Sequence, residues 1–493
     1  MNILLINPPY PFIPDEVKTA SPPLGLAYIA AMLEQNNYPV KIVDCVIEGY
    51  NTETEISNGI RTYGLSKREI IHIIEEYQPS VIGISAIFST LDSIIRELSR
   101  DIKETFPEVK IVVGGTHATV MAEELICEPS IDYVIRGEGE YAFLGLVEYL
   151  EMKRQIDEVN NLTWKENGEI RSTPQQFIED IDQLPRPARH LLNIEGYIKI
   201  GRMHGSPEKG VRAATLITSR GCPAKCIFCS IHSVWGRTFR GHSPEYVLNE
   251  MQELREQYKI NHLLFEDDNL TFDRNRAVSI FQGMIDRKYN FSWTTPNGVA
   301  VWALNDYLLK LIKESGCCWL TLAVESGDPE TLAKIIKKPL RLDKVILIVK
   351  TCRKLKIHTN AFFVIGLPGE TMESIQRSMT FAEDLDVDSI IISIAAPYPG
   401  TSLYEQCKEK GYFVEDFQIT NLSPRIGQIK TTEFSPKDLV DIVNRTFMRR
   451  VFKHPIGTLR RVYGKFKVAP MTTFSLVTKK FILGIVSQIK LKR

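Results

Sequence analysis

Two runs of short apolar strands alternating with amphipathic helices, one before residue 150 and one after residue 213, predict an α/β protein with two parallel-sheet domains. Most strands are continuous apolar runs without alternation, the pattern of sheets covered on both faces. Between the two runs, Met152 to about Ser206 is irregular and carries the proline-rich piece LPRPARHLL (Leu184–Leu192), which reads as a linker packed between domains.

In the first run, Asn2–Asn7 (NILLIN) is a buried strand that ends at Pro8-Pro9, and Gly25–Glu34 has helical apolar spacing. Val40–Val43 is a strand, Lys67–Tyr77 a helix, Ser80–Ile84 a strand and Leu91–Thr105 a helix. Lys110–Val113 is a strand ending at Gly114-Gly115, followed by a helix over Ala118–Ile126, a short strand at Tyr133–Ile135 and a helix over Glu140–Leu150. Five strands with helical crossovers predict a flavodoxin- or Rossmann-like sheet over residues 1–150. Ligands of such sheets sit at the carboxyl ends of the strands, here the turns Asn7-Pro8-Pro9, Asp44–Gly49, Ser85–Thr90, Gly114–His117 and Gly137–Glu140. No G-x-G-x-x-G follows the first strand, which weakens a dinucleotide reading.

Within the linker, residues 151–206, Leu162–Trp164 and Glu169–Arg171 read as a hairpin. Alternation resumes with strands at Ala213–Thr218, His262–Phe265, Ser292–Thr295, Trp319–Ala323, His358–Val364 and Ser389–Ile394, and helices such as Tyr246–Gln257, Asp306–Ser315 and Met372–Asp384 fill the gaps. Six units predict a partial (β/α)6 barrel of the TIM type over residues 207–430, followed by a basic helical extension over 431–493.

The composition, 44% hydrophobic and 24% charged, is that of a globular chain, and a formal net charge of zero argues against a nucleic-acid footprint over the whole protein. The balance conceals an asymmetry, since thirteen Lys and Arg and no acidic residue follow Asp441, leaving the rest near −13. The nine cysteines are not spaced as a disulfide framework, which predicts a reducing, cytoplasmic compartment. The N-terminus lacks the pattern of a signal peptide, and no run reaches the ~18 apolar residues of a membrane span.

The strand at Ala213–Thr218 runs into SRGCPAKCIFCS, which places Cys222, Cys226 and Cys229 as C-x3-C-x2-C. Closely spaced thiolates hold iron–sulfur clusters. A structural zinc site would want four ligands, commonly in two pairs, and no second pair follows. Three ligands on a four-iron cluster leave one iron open, and Phe228 stands beside the third cysteine, placed to pack against whatever binds there. From about residue 211 to 430 the chain resembles the radical S-adenosylmethionine superfamily. The further stretches that carry the resemblance are RTFRGHSPE (Arg237–Glu245), FEDDN (Phe265–Asn269), AVESG (Ala323–Gly327), FVIGLPGE (Phe363–Glu370) and PYPGTSLY (Pro397–Tyr404). The resemblance implies a 4Fe-4S cluster on the three cysteines, with S-adenosylmethionine on the open iron and contacts from Phe228, Asp267, Asp268, Glu325, Ser326 and Gly366. Taken singly, these acids read equally well as solvated loop acids or helix N-caps.

In the first domain, Ser21–Leu33 (SPPLGLAYIAAML), Gly114–Thr119 (GGTHAT) and Arg136–Glu140 (RGEGE) resemble the cobalamin-binding domains joined to radical S-adenosylmethionine domains. That implies cobalamin contacts from Pro9, Leu24, Gly25, Ser85, Gly114, Gly115, His117, Gly137 and Glu138. Glycines let a backbone approach a flat corrin closely, Ser85 is placed to donate to the cofactor tail, and His117 to bond a corrin amide. Where cobalamin domains often carry D-x-H-x-x-G, this chain reads Asp44-Cys45-Val46-Ile47-Glu48-Gly49. Valine cannot ligate cobalt, so a lower-face histidine from this motif is not expected. A domain that keeps the fold without the cofactor is the alternative.

The resemblance as a whole is to the cobalamin-dependent, class B methyltransferase-like branch. It implies cleavage of S-adenosylmethionine to a 5′-deoxyadenosyl radical and methylation of an unactivated carbon of a small-molecule or lipid-type substrate, with electrons from a donor such as flavodoxin or ferredoxin. Two readings stand beside it: a cyclase or oxidoreductase acting on a tetrapyrrole or lipid, and a cobalamin- or redox-sensing binding protein. In the tail, Phe474, Val477, Phe481, Ile482, Ile485 and Ile489 recur at helical spacing among lysines, which predicts peripheral membrane contact or packing on the acidic remainder of the chain.

Overall fold

The computed structural model describes residues 1–12, 17–55, 61–204 and 211–454. The chain divides into two compact units, Met1–Met203 with Ser230–Gly236, and His204–Cys229 with Arg237–Arg493. The amphipathic stretch expected at 474–489 lies outside the described residues.

In the first unit, β1 (Ile3–Asn7), β2 (Val40–Asp44), β3 (Val81–Ser85), β4 (Lys110–Gly114) and β5 (Tyr133–Ile135) form a parallel sheet in the order β2-β1-β3-β4-β5. This is the flavodoxin-like order, with its topological switch between β1 and β3. Every residue of β1 and of β3 is buried, as a strand covered on both faces requires. The hairpin read within the linker is β6 (Leu162–Glu166) and β7 (Glu169–Ser172), and it extends this sheet, β6 pairing antiparallel with β5. The segment expected to be a connector therefore lengthens the sheet edge. Its outermost strand, EIRS, is fully exposed, a polar edge that discourages further pairing. The helix expected over Ala118–Ile126 is two short helices, Thr116–Val120 and Ala122–Leu125, broken at Met121. A second small sheet, Tyr10–Phe12, Arg61–Tyr63 and Glu53–Glu55, was not legible in the sequence.

In the second unit, β8 (Ala213–Leu216), β9 (His262–Phe265), β10 (Ser292–Thr294), β11 (Cys317–Glu325), β12 (His358–Ile365) and β13 (Ser389–Ile394) are parallel and lie in sequence order, the partial (β/α)6 barrel. The core between strands and helices is aromatic at its centre. Trp293 is fully buried, stacked on Phe281 at 5.1 Å and edge-on to Phe265 at 5.2 Å. The helix Pro436–Lys453 opens with a capping box between Ser435 and Asp438, has proline in its first turn, and packs on the helix Met372–Asp384. Arg450, 5% exposed, donates to the carbonyls of Ala382 (2.8 Å), Glu383 (3.3 Å), Leu385 (3.0 Å) and Val387. It thereby satisfies acceptors that the end of the Met372–Asp384 helix leaves open.

Candidate functional site

The three cysteines lie on an irregular loop beyond the carboxyl end of β8. A two-residue strand (Ser219–Arg220) opens the loop and pairs with Arg240–Gly241. The loop is anchored at several points. The Asp267 carboxylate accepts from Thr218 N (3.2 Å), Thr218 Oγ1 (2.7 Å) and Ser219 Oγ (2.5 Å). Arg276 donates to the carbonyls of Thr218 (2.5 Å) and His242 (2.6 Å). Between the second and third cysteines, Cys229 N donates to the Cys226 carbonyl at 3.1 Å, and Leu403 N donates to the Ile227 carbonyl at 2.9 Å. The thiols of Cys222, Cys226 and Cys229 are each half-buried, and so is the Phe228 side chain between them.

Burial pushes the Cys226 thiol up to about 11, while the positive charge of Lys338 pulls it down. Metal binding must therefore displace a firmly held proton. Among the described residues no three His, Cys, Asp or Glu gather into a site for one metal ion. A cubane does not ask for such a site, because each of its thiolates binds a different iron and the sulfurs stand apart.

Apart from Phe228, the residues expected to meet S-adenosylmethionine divide into a pair and a trio. Asp268 and Glu325 lie at strand ends with polar character to spare. Asp268 follows β9 with Oδ2 buried and without a partner among the described residues, and burial, then repulsion from Asp267, pushes its carboxyl up to about 7. Glu325 ends β11 at a register shift, in the left-handed region (φ 73°), and pairs with Lys338 Nζ at 2.9 Å. A non-glycine residue held there is strained, and such strain collects at functional sites.

The other three are committed to the scaffold. Asp267 is 1% exposed and spends its carboxylate on Thr218 and Ser219, so it holds the cysteine loop. Ser326 is fully buried, bonded to Ser378 Oγ at 2.7 Å and accepting from Asp328 N at 3.1 Å, which faces it toward the Met372–Asp384 helix. Gly366 has φ +85°, and a Cβ there would stand 2.5 Å from Leu439 Cδ1, so glycine serves the turn and the packing of the Pro436–Lys453 helix. Two residues of this region were given no role by the sequence: Lys338, which follows a π-helical turn (Thr331–Ile336), and Asn269, the last residue of the FEDDN stretch, whose Nδ2 lies 3.7 Å from Cys222 Sγ.

In the first unit, the expected cobalamin residues gather at the carboxyl ends of β1, β3, β4 and β5. Ser85 ends β3 and Gly114 ends β4. Gly115 has φ +114°, and a Cβ there would stand 2.8 Å from the Ala86 carbonyl oxygen, so only glycine lets the loops after β3 and β4 approach this closely. The two loops are knit by Ala86 N donating to Gly114 O (2.6 Å) and His117 N to Ala86 O (2.8 Å). Pro9 packs against Gly64, Leu24 is buried at the start of its helix, Gly25 beside it is exposed with open space where a Cβ would be, and Gly137 has φ +66°.

Two side chains differ from expectation. His117 is 1% exposed, with Nε2 at 2.8 Å from Asp92 Oδ1 and Nδ1 at 3.2 Å from Ser89 Oγ. Both ring nitrogens are engaged, so the ring fastens the helix Thr116–Val120 to Ser89 and Asp92 and presents neither nitrogen to a corrin amide. Glu138 is 4% exposed and accepts from Ile178 N at 2.7 Å, a tie to the chain beyond β7. Asp44, at the end of β2, accepts from Asn7 Nδ2 (2.8 Å), Val46 N (3.0 Å) and Tyr197 OH. Burial raises its carboxyl against those three bonds. Val46, in the place of the motif histidine, is 2% exposed.

Two family models match the chain: the B12 binding domain over residues 12–147 and the Radical SAM superfamily over residues 216–382. The cytidylyl-2-hydroxyethylphosphonate methyltransferase of Streptomyces wedmorensis is 33% identical over 457 residues, 87% of this chain and 85% of that one. The chain belongs to the cobalamin-dependent radical S-adenosylmethionine enzymes. The anaerobic magnesium-protoporphyrin IX monomethyl ester cyclase of Rubrivivax gelatinosus is 27% identical, covering 92% of this enzyme and 78% of the cyclase. Among solved structures, the cobalamin-dependent S-adenosylmethionine radical enzyme OxsB matches with a TM-score of 0.73 at 18% identity, covering 99% of this chain and 74% of that one. The radical S-adenosylmethionine methyltransferase TsrM of Kitasatospora setae gives 0.65 at 18%, covering 82% and 76%. These two likenesses speak for the fold.

The cofactors of the enzyme are a 4Fe-4S cluster, S-adenosylmethionine and cobalamin. The residues present suit them. The loop offers three half-buried thiols with an amide donor beside one of them, and in the first unit Gly114 and Gly115 keep the strand ends free of side chains while Gly25, at the start of its helix, has open space where a Cβ would be.

Proposed function

We propose that this enzyme transfers a methyl group from S-adenosylmethionine to an unactivated carbon of a small-molecule or lipid-type substrate. The reading is carried by the three-thiol loop at the barrel strand ends, in a chain with 33% identity along 87% of its length to a methyltransferase. When bound, the cluster supplies the electron that splits S-adenosylmethionine to a 5′-deoxyadenosyl radical, and cobalamin carries the methyl group. Cys222, Cys226 and Cys229 hold the cluster. Phe228 packs beside the open iron, Glu325 and Asp268 bind polar parts of S-adenosylmethionine, and Gly366 shapes the turn behind them. Pro9, Leu24, Gly25, Ser85, Gly114, Gly115 and Gly137 form the backbone bed of cobalamin, with His117 and Glu138 bracing it from behind. A reduced flavodoxin or ferredoxin supplies electrons.

Because the relative from Streptomyces is named for a cytidylyl-linked phosphonate, that compound is the first substrate to try. The anaerobically reconstituted enzyme is incubated with reductant, substrate and methyl-deuterated S-adenosylmethionine. The expected result is a labelled methyl group in the product, with S-adenosylhomocysteine and 5′-deoxyadenosine released together. Ring closure without label gain favours the cyclase reading, which the 27% relative supports. Cys226→Ala abolishes 5′-deoxyadenosine formation and leaves cobalamin binding intact; unchanged cleavage would overturn the cluster assignment. No helix among the described residues is long and apolar enough to cross a membrane. The proposed site of action is the cytoplasm, with the basic C-terminal stretch touching anionic lipid, and equal liposome binding with and without the residues after Met471 would remove that contact.

A further inference from the structure

We propose that Asn269 is a positioning residue that donates a hydrogen bond to the Cys222 sulfur and raises the reduction potential of the cluster. The inference rests on the reading of the three cysteines as cluster ligands. Asn269 Nδ2 lies 3.7 Å from Cys222 Sγ, within range of a bond to sulfur. The residue is 2% exposed, and its Oδ1 is buried without a partner among the described residues. The orientation is the one chemistry selects: turned over, the amide would set its oxygen against a sulfur that is anionic when it binds iron, and leave the two N–H groups behind.

A buried amide with an unpaired oxygen is costly to the fold, so its donor end needs a compensating role. The neighbouring residues serve the same loop, since Asp267 fixes Thr218 and Ser219 at its entrance while Asn269 reaches its first cysteine. The segment after β9 thus grips the loop at two points, one structural and one at a ligand atom. Reduction adds an electron to the iron and its sulfurs. A donor to sulfur stabilises that more negative state more than the oxidised one, so the potential rises.

The test uses the anaerobically reconstituted holoenzyme and its variants Asn269→Ala and Asn269→Asp, with iron and sulfide content as the control for intact clusters. The midpoint of the cluster is read by redox titration followed by EPR. Both variants are expected to titrate at a lower potential than wild type, and Asn269→Asp lowest, because it removes the donor and adds negative charge. As a second readout, pulsed EPR of the reduced wild type in water and in D2O should detect an exchangeable proton coupling that Asn269→Ala lacks. Asn269→Ala alone decides the matter if Asn269→Asp does not hold a cluster. Unshifted midpoints with intact clusters, or an unchanged exchangeable-proton spectrum, would overturn the role of Asn269. A wild type that assembles no cluster would instead overturn the reading of the cysteines themselves.

Discussion

The Lys338 ammonium lies 2.9 Å from the Glu325 carboxylate, with the two side chains only 5% and 14% exposed. Lys338 also stands over the ring of Trp302, 5.4 Å from its centroid, which leaves the ammonium little water. A buried pair is expensive to break, because the remaining charge loses its partner without regaining solvent. Here the partner also sits in a strained backbone conformation at a strand end (φ 73°). Lys338→Met is therefore expected to destabilise the barrel by about 3 kcal/mol. It also weakens S-adenosylmethionine binding to the holoenzyme, whereas Lys338→Arg retains most of both. Denaturant titration of the apoprotein and equilibrium dialysis with labelled S-adenosylmethionine check the two parts. An unchanged affinity in Lys338→Met would remove Glu325 from the cofactor site.

Arg450 links two helices by charge-assisted bonds to carbonyls at and beyond the end of the Met372–Asp384 helix. Arg450→Ala takes this donor from the Ala382 and Val387 carbonyls, while Glu383 O keeps His454 Nε2 (3.0 Å) and Leu385 O keeps Val387 N (2.8 Å), and the expected loss is roughly 1–3 kcal/mol. Arg450→Lys recovers only part, because a single ammonium cannot reach in two directions as the guanidinium fork does. Urea unfolding midpoints of the three proteins measure the series. Equal midpoints for wild type and Arg450→Ala would show that these carbonyls find other donors.

The parallel strands of both units were legible because each is a local apolar run, and the cysteine loop because its spacing is local too. Features made by distant partners were not. Asp267 reads in sequence as one acid of a strand-end trio. Its role comes from Thr218 and Ser219, 49 and 48 residues away, which consume its carboxylate. Ser326 carries no sign of Ser378, nor His117 of Asp92 and Ser89. The small sheet of Tyr10–Phe12, Glu53–Glu55 and Arg61–Tyr63 is built from three-residue strands, one of them the fully exposed ETE, and neither length nor pattern marks it. The hairpin at Leu162–Glu166 and Glu169–Ser172 was visible as a hairpin, but its docking on β5 depends on register that no local signal carries.

The position that holds histidine in many cobalamin domains offers a direct test of that distinction. Val46 is 2% exposed and follows Asp44, whose carboxylate caps the short helix Cys45–Glu48. Val46→His restores the letter of the motif without an outward-facing site for it. The expected outcome is a loss of roughly 1–3 kcal/mol from burying an imidazole among apolar neighbours. No nitrogen coupling from a protein ligand should appear in the EPR spectrum of the bound Co(II) cobalamin. A clear nitrogen splitting in this variant would mean that the helix re-forms to reach the cobalt.

Glu370 supplies a prediction in pH. It is 1% exposed, its Oε2 accepts from Leu367 N at 2.8 Å, and its Oε1 is buried without a partner among the described residues. Burial pushes its carboxyl up to about 7, against the lowering pull of its backbone bonds. In an unfolded chain the same group titrates near ~4.3. Below that value both states are protonated and Glu370 carries no penalty. As the pH rises from about 4 toward 7, the unfolded state releases its proton while the folded state keeps it, so stability falls across that window and levels off above it. Glu370→Gln removes the titration but keeps an acceptor for Leu367 N. It is expected to gain about 2–3 kcal/mol over wild type at pH 8 and almost nothing at pH 4. Denaturant midpoints of the two apoproteins between those limits check this, and a difference independent of pH would show that the carboxyl is ionised throughout and held by a cation.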